Sequence, residues 1–186
     1  MIKLPVLYTP RLILREICLG DAEDMFSYAQ HPLVGPNAGW APHTNVQETR
    51  RVIQIFLEAK KRGEPGVFAI IERKTGRMIG TIELFNLIFG FKAELGYALN
   101  PDFWGRGIIP EAARSVLEYG FRVLQLKRIE ASAFLTNHQS QRVCEKLGFI
   151  REGVARNGYL RYDGKIFDKV IFGITDTEYE NLNGNR

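Results

Sequence analysis

The chain has 186 residues, of which 45% are hydrophobic and 25% are charged, and its formal net charge is +4. This ordinary globular balance excludes a disordered or fibrous protein and predicts one domain with a full core. Lys and Arg are scattered along the chain and form no basic stripe, so we expect no direct nucleic-acid binding.

The cysteines and the apolar stretches exclude further classes of protein. Cys18 and Cys144 are too few and too far apart for a metal site or a disulfide framework, which predicts no metal and favours a reducing, cytoplasmic compartment. The longest strongly apolar stretch, 84–91, is far shorter than the ~18 residues of a membrane span. We therefore expect neither membrane association nor a signal peptide.

The first part of the chain predicts a strand, two helices and an antiparallel meander. Residues 11–15 predict a strand, and Gly20-Asp21 then begins a helix that runs to about Gln30. Residues 45–62 have apolar residues at helical spacing. The further predicted strands cover 67–73, 77–85 and 91–99.

Between the two predicted helices lies the segment 31–44, which holds three prolines and two glycines and predicts a long loop. Long loops in compact domains are often functional, so Trp40 and His43 are candidates for a substrate-binding wall. The sequence leaves open the alternative that Trp40 only anchors a packed surface loop.

The second part of the chain predicts a helix with a broad apolar face up to Leu124, a strand over 127–134 and a helix over 137–147. A hairpin over 154–162 and 165–174 closes the fold around Asp163-Gly164. Strand, helix and strand in this order indicate a parallel crossover. Together these elements predict a single α/β (α+β) domain over residues 1–186, with a core from about residue 9 to residue 175. Its sheet is mixed and mostly antiparallel, with six to seven strands and helices on both faces.

A glycine turn connects the strand that ends at Leu99 with the next helix. Gly105 and Gly107 let backbone N–H groups approach an anion, and Arg106 adds a forked cationic donor. Pro110 suits the first position of the helix, whose positive end points at the same place. The turn therefore predicts a phosphate site, although an ordinary strand-to-helix connection remains an alternative on these residues alone.

Short motifs occur in a fixed order along the chain. They are Thr9-Pro-Arg-Leu-Ile-Leu-Arg15, Glu94-Leu-Gly-Tyr97, Trp104-Gly-Arg-Gly107, Pro110-Glu111-Ala112, Asn137-x-x-Ser140, Lys146-Leu-Gly-Phe149 and Glu152-Gly153. In this order and spacing they resemble the GNAT superfamily of N-acetyltransferases, in particular its ribosomal-protein-alanine N-acetyltransferase (RimJ/RimL-like) branch. The resemblance covers about Thr9 to Thr175. One departure is Ile109, where the superfamily usually has Gly or Ala, and it leaves less room near the phosphates.

The resemblance implies acetyl-CoA as the cofactor and CoA as the product. It implies that N–H groups of the turn hold the pyrophosphate and that the preceding strand pairs with the pantetheine arm. The residues that it assigns to cofactor binding are Tyr97, Ala98, Leu99, Trp104, Gly105, Arg106, Gly107, Ile108, Ile109, Asn137 and Ser140.

The catalytic residues are also implied by the resemblance. Ser140 shares an inward helix face with Cys144, so its hydroxyl needs a partner, and in related enzymes this serine protonates the departing thiolate. Glu94 is the first candidate for the general base, and Glu83 is the second. Tyr159 stands where one related type has a catalytic glutamate. We assign Tyr159 and Glu83 to the acceptor site, together with Trp40 and His43 of the 31–44 loop. Cys144 is expected to be a core residue.

The sequence therefore predicts an enzyme, an acetyl-CoA-dependent N-acetyltransferase that transfers directly to a primary amine. The leading acceptor is a protein N-terminus, with a ribosomal protein as one partner. The alternatives are a small-molecule amine, such as a polyamine or aminoglycoside, and a non-catalytic CoA- or RNA-binding module. The oligomeric state, monomer or homodimer, is left open.

Overall fold

The computed structural model describes residues 4–184. Its strands are β1 (Leu7–Tyr8), β2 (Leu12–Glu16), β3 (Val67–Glu72), β4 (Met78–Ile88), β5 (Lys92–Leu99), β6 (Arg128–Phe134), β7 (Ile150–Leu160) and β8 (Ile166–Thr175). Its helices are α1 (Ala22–Ala29), α2 (Gly35–Ala38), α3 (Val46–Lys61), α4 (Ile108–Glu118), α5 (His138–Lys146) and α6 (Asp176–Asn183). A π-helical turn, Tyr119–Val123, continues α4.

The strands form one sheet in the order β1-β2-β3-β4-β5-β6-β8-β7. All neighbours are antiparallel except β5 and β6, which are joined by the α4 crossover and run parallel. The predicted fold class is confirmed, but the strand number of six to seven is wrong: the described residues form eight strands. The additional strand is β1, which has only two residues and therefore leaves no alternating pattern in the sequence.

Two apolar layers cover the sheet. On one face, α4 and α5 bury residues such as Val116 and Cys144 against the strands. On the other face, α1 and α3 bury Met25 and Ile53 against β3 and β4. No helix within residues 4–184 is both long and apolar enough to cross a membrane.

Several element boundaries differ from those that the sequence predicts. The predicted loop over 31–44 contains the short helix α2, which begins with a Gly-Pro pair and ends at Gly39 in a left-handed conformation (φ 99°). Strand β7 begins at Ile150, four residues before the predicted hairpin. The polar C-terminal tail forms α6, because Thr175 and Glu178 make reciprocal capping hydrogen bonds.

Candidate active site

Strands β5 and β6 pair over a short distance only and then separate. The pairs are Lys92 with Arg128, Ala93 with Ile129, and Glu94 with Glu130. Within residues 4–184, the edge of β5 from Leu95 to Leu99 that faces β6 has no strand partner. An extended ligand can add to such an edge as a strand does. Helices α4 and α5 both follow the carboxyl ends of these two strands, so both begin at the open end of the gap.

The turn between β5 and α4 presents backbone donors that the protein itself does not use. Gly105 and Gly107 have φ angles of 74° and 73°, a left-handed conformation that favours glycine. In the described part of the chain, no N–H group from Gly105 to Ile109 donates to a protein oxygen. These adjacent donors lie at the N-terminus of α4, and exposed Arg106 lies among them. The arrangement fits the pyrophosphate of a CoA cofactor.

The two isoleucines that follow the turn do not occupy it. Ile108 and Ile109 are 4% and 5% exposed, and both side chains pack in the core beneath α4. Their N–H groups therefore face the turn, whereas their side chains face away from it. Trp104 stabilises the turn from the other side, because its indole Nε1 donates to the carbonyl oxygen of Leu99 over 2.9 Å.

Ser140 and Tyr97 form a hydrogen-bonded pair across the gap between the strands. Their hydroxyl oxygens are 2.7 Å apart, and either group can be the donor. Asn137 caps α5 by accepting from the N–H group of Ser140 over 3.1 Å, so the backbone at this position is fixed as well. Burial raises the pKa of the Tyr97 phenol, and the nearby thiol of Cys144 adds to the increase. The phenol therefore keeps its proton at neutral pH.

Cys144 itself is a core residue. Its side chain is 1% exposed, and burial raises the pKa of its thiol to about 12. A thiol in this state is a poor nucleophile at neutral pH.

The opposite face of the sheet carries the two candidate bases. We call the side of β4 to β8 that faces away from α4 and α5 the acceptor face. Glu94 lies on it, and its carboxylate accepts from Ser132 Oγ over 2.9 Å and from Asn86 Nδ2 over 3.4 Å. These contacts hold the carboxylate of Glu94 in a fixed position on β5.

Glu83 lies on the same face, opposite the point where β5 loses its partner. It pairs with Gly96 across the β4–β5 ladder. A Cβ on Gly96 would lie 3.6 Å from Glu83 Cγ and 3.0 Å from the Phe85 ring, so the glycine leaves space for both side chains. Burial raises the pKa of Glu83 to about 7, and the charge of Glu64 adds to the increase. A carboxyl group with this pKa suits a general base near neutral pH.

The two candidate residues from the 31–44 loop lie side by side. The ring centroids of Trp40 and His43 are 5.3 Å apart. His43 is 8% exposed, and its Nδ1 lies 2.8 Å from the Thr49 hydroxyl oxygen. Burial lowers the pKa of His43, so the imidazole is neutral at pH 7. His43 supports Trp40 from behind, and the half-buried indole is the part of the pair nearer to solvent.

The same loop is tied to the far side of the gap. Tyr159 Oη donates to the carbonyl oxygen of Gly39 over 3.2 Å. The carbonyl oxygens of Pro36 and Asn37 accept from Arg161 and Asn137 over 3.3 Å and 3.4 Å. Helix α2 therefore spans the distance between the α1–α3 side and the β7–β8 hairpin. This contact brings Trp40 and Tyr159 to one site, although 118 residues lie between them in the sequence.

Aromatic rings and a lysine line this site on the β8 side. The rings of Phe134 and Tyr159 have centroids 5.2 Å apart. Lys169 pairs with Phe134 across the β6–β8 ladder, and its Nζ lies 5.4 Å from the Tyr159 ring centroid. Partners in an antiparallel ladder share a face, so Lys169 lies on the acceptor face. Lys169 forms no salt bridge with any carboxylate in residues 4–184.

The sequence did not point to two of these groups. The Tyr97 hydroxyl was missed because only the backbone of this strand was considered, although the alternation with Leu95 and Leu99 places its ring on the α5 side. Lys169 was missed because a lysine in a predicted strand carries no signal of its own. Only the pairing of β6 with β8 shows which face it occupies.

Known proteins share the sequence pattern and the fold of this chain. Residues 11–150 match the acetyltransferase (GNAT) domain. The chain is 35% identical over 175 residues to uncharacterized N-acetyltransferase p20 of Bacillus licheniformis, covering 93% of this chain and 97% of that protein. It is 27% identical to the [ribosomal protein uS5]-alanine N-acetyltransferase of Escherichia coli, covering 93% and 92% of the two chains. The crystal structure of a GNAT-family acetyltransferase from Bacillus anthracis superposes with a TM-score of 0.82 at 25% identity, covering 93% and 99%.

Proposed function

The chain belongs to the acetyltransferase (GNAT) family and is an acetyl-CoA-dependent N-acetyltransferase, and from this premise we propose that its acceptor is the N-terminal α-amine of a protein. A ribosomal protein is the leading candidate, since one relative over nearly the whole chain is named for ribosomal protein uS5.

The charge arrangement of the acceptor face is the observation that carries this proposal. Glu83 has a pKa of about 7, which is close to the value of about 8 for an α-ammonium group and far below the value of about 10.4 for an alkyl ammonium group. A base of this strength deprotonates an N-terminal amine much more readily than a polyamine. The same face carries the cation Lys169, which has no carboxylate partner within residues 4–184 and lies beside the Tyr159 ring. Lys169 disfavours a second cationic group at this end of the face, whereas Glu83 and Glu94 lie at the β4–β5 end.

On the cofactor side, the chain provides binding and position. The N–H groups of Gly105 to Ile109 hold the pyrophosphate, and the free edge of β5 from Leu95 to Leu99 aligns the pantetheine arm. When bound, acetyl-CoA supplies the acetyl group as a thioester. Backbone donors on the same edge stabilise the carbonyl oxygen as it gains negative charge.

Three side chains move the protons: Glu83 acts on the acceptor, and the hydrogen-bonded pair of Ser140 and Tyr97 acts on the departing sulfur. Glu83 removes the proton of the acceptor ammonium, directly or through a water molecule, and the freed lone pair forms the new N–C bond. As the C–S bond breaks, Ser140 would donate a proton to the departing sulfur, Tyr97 would resupply the serine through the 2.7 Å hydrogen bond, and the second proton that the nitrogen loses on becoming an amide would return to the phenol through water. Glu94, held by Ser132 and Asn86, lines the path of the acceptor and is the alternative base.

The acceptor is tested with a panel of amines and free-thiol release from acetyl-CoA. The panel contains short peptides with a free N-terminal alanine or serine, the same peptides with blocked N-termini, spermidine and an aminoglycoside. We expect turnover with the free peptides only, and mass spectrometry places the acetyl group on the α-amine. Turnover with spermidine or the aminoglycoside alone supports the small-amine alternative. Tight CoA binding without turnover on any amine contradicts both.

A further inference from the structure

Two motifs singled out in the sequence, Thr9-Pro-Arg11 and Pro110-Glu111, meet beside the pyrophosphate turn. The carboxylate of Glu111 accepts from Thr9 Oγ1 over 2.5 Å, from the Arg11 backbone N–H over 2.9 Å and from Arg11 Nε over 2.6 Å. About 100 residues separate the partners. The start of β2 is thereby fixed to the first turn of α4.

Arg11 also contacts the turn itself. Its Nη1 donates to the carbonyl oxygen of Arg106 over 2.9 Å. Its Nη2 is the atom nearest to Gly107, at 3.8 Å from the position that a Cβ would take there. Within residues 4–184, this Nη2 has no acceptor. Two nitrogens of the guanidinium are thus held in place, and the third, Nη2, lies toward Gly107, the residue before α4.

The charge of Glu111 explains how the arginine is held. Burial alone raises the pKa of Glu111, but the hydrogen bonds from Thr9 and Arg11 outweigh burial and lower this pKa below its ordinary value. The carboxylate is therefore ionised at neutral pH. Its side chain is 15% exposed, whereas that of Arg11 is 48% exposed. The half-buried carboxylate holds Nε of Arg11, and Nη2 is free for a ligand.

We propose that Arg11 is a phosphate ligand of the cofactor site and that Glu111 is the residue that positions it. A guanidinium that is held in place and has one free nitrogen beside unused N–H groups is suited to a phosphate oxygen. The phosphate is the pyrophosphate or the 3′-phosphate of CoA. The inference concerns the donor side only, so it does not depend on which amine accepts the acetyl group.

The test is calorimetric binding of CoA and of 3′-dephospho-CoA to the whole protein. The variants are Arg11→Gln and Arg11→Lys. The control is Arg114→Gln, which removes the same charge from an exposed position on α4 outside the turn. We expect Arg11→Gln to weaken CoA binding by about tenfold to a hundredfold, the range for a lost hydrogen bond between charged groups. Arg11→Lys restores part of this loss, and the control changes the Kd by less than about threefold.

The two ligands identify the phosphate. An equal loss with both ligands places Arg11 at the pyrophosphate. A loss with CoA that vanishes with 3′-dephospho-CoA places it at the 3′-phosphate. Binding of inorganic pyrophosphate, followed by its effect on the melting temperature, gives a readout that does not involve the pantetheine arm.

Other outcomes overturn the proposal. If Arg11→Gln binds both ligands as the wild type does, Arg11 is not a ligand. If Arg11→Lys loses as much affinity as Arg11→Gln, and the melting temperature of both variants falls without any ligand, the arginine only connects β2 to α4. In kinetics, loss of a phosphate ligand in Arg11→Gln raises the KM for acetyl-CoA while kcat stays within about twofold.

Discussion

Replacing Glu83 by glutamine separates its catalytic role from its structural role. Burial raises the pKa of this carboxyl group from an ordinary 4.5 to about 7. At about 1.4 kcal/mol per pKa unit, holding the group ionised in the folded protein costs at most about 3 kcal/mol. The folded protein binds the proton of Glu83 more tightly than the unfolded chain does, so the contribution of Glu83 to wild-type stability falls as the pH rises from about 4.5 to 7 and is constant above that range.

Glutamine has no charge to bury and removes this loss of stability. We expect the Tm of Glu83→Gln to exceed that of the wild type by up to about 6 to 12 °C at pH 8, at about 2–4 °C per kcal/mol for a chain of this size. The difference shrinks as the pH approaches 4.5. Activity changes in the opposite direction: kcat falls by about a hundredfold, the lower end of the range for a general base. The rise of the wild-type rate through pH 7 disappears.

Thermal unfolding and initial rates, each measured from pH 5 to 9, test both statements. Glu94→Gln is the comparison variant, because Glu94 lies on the same face, held by Ser132 and Asn86, and is the alternative base. If only Glu94→Gln loses the wild-type rate profile, Glu94 is the base. If Glu83→Gln gains stability but keeps the wild-type rate profile, Glu83 is a buried carboxyl and not the base. If the Tm difference is the same at pH 5 and pH 8, the assignment of the raised pKa is refuted.

Three further changes test other parts of the site. Gly107→Glu places a carboxylate at the phosphate site and a side chain at φ 73°, so acetyl-CoA should no longer raise the Tm; an unchanged ligand-induced rise contradicts the phosphate site. Ser140→Ala should lower kcat by about ten- to a hundredfold with little change in the Kd for CoA, and Tyr97→Phe should have a smaller effect of the same kind; a change in Kd alone would make the pair structural. Lys169→Glu should lower kcat/KM for peptide acceptors and raise it for spermidine, and parallel changes for both would show that Lys169 does not select the acceptor.

Much of the fold is determined by local sequence. Gly105 and Gly107 take positive φ angles that other residues rarely adopt, and Asn137 caps its helix by a hydrogen bond to a residue three positions away. Such effects act within a few residues, so the turn and the helix start are visible in the sequence. Element order then follows from apolar spacing. The two-residue strand β1 and the short helix α2 could not be predicted in this way, because they are too short to show a periodic spacing of apolar residues.

The active chemistry is decided by contacts between distant residues. No local pattern shows that β5 and β6 separate after Glu94, that Tyr97 meets Ser140, or that Arg11 reaches the turn from the start of the chain. The pKa of Glu83 depends on how deeply the sheet and its neighbours bury it, and burial is a property of the packed structure. The sequence by itself determined the fold class and the conformation of the glycine turn, because both follow from short-range conformational preferences. Only the tertiary structure buries Glu83 so that its pKa rises and places Lys169 beside the Tyr159 ring, because both depend on what packing brings together.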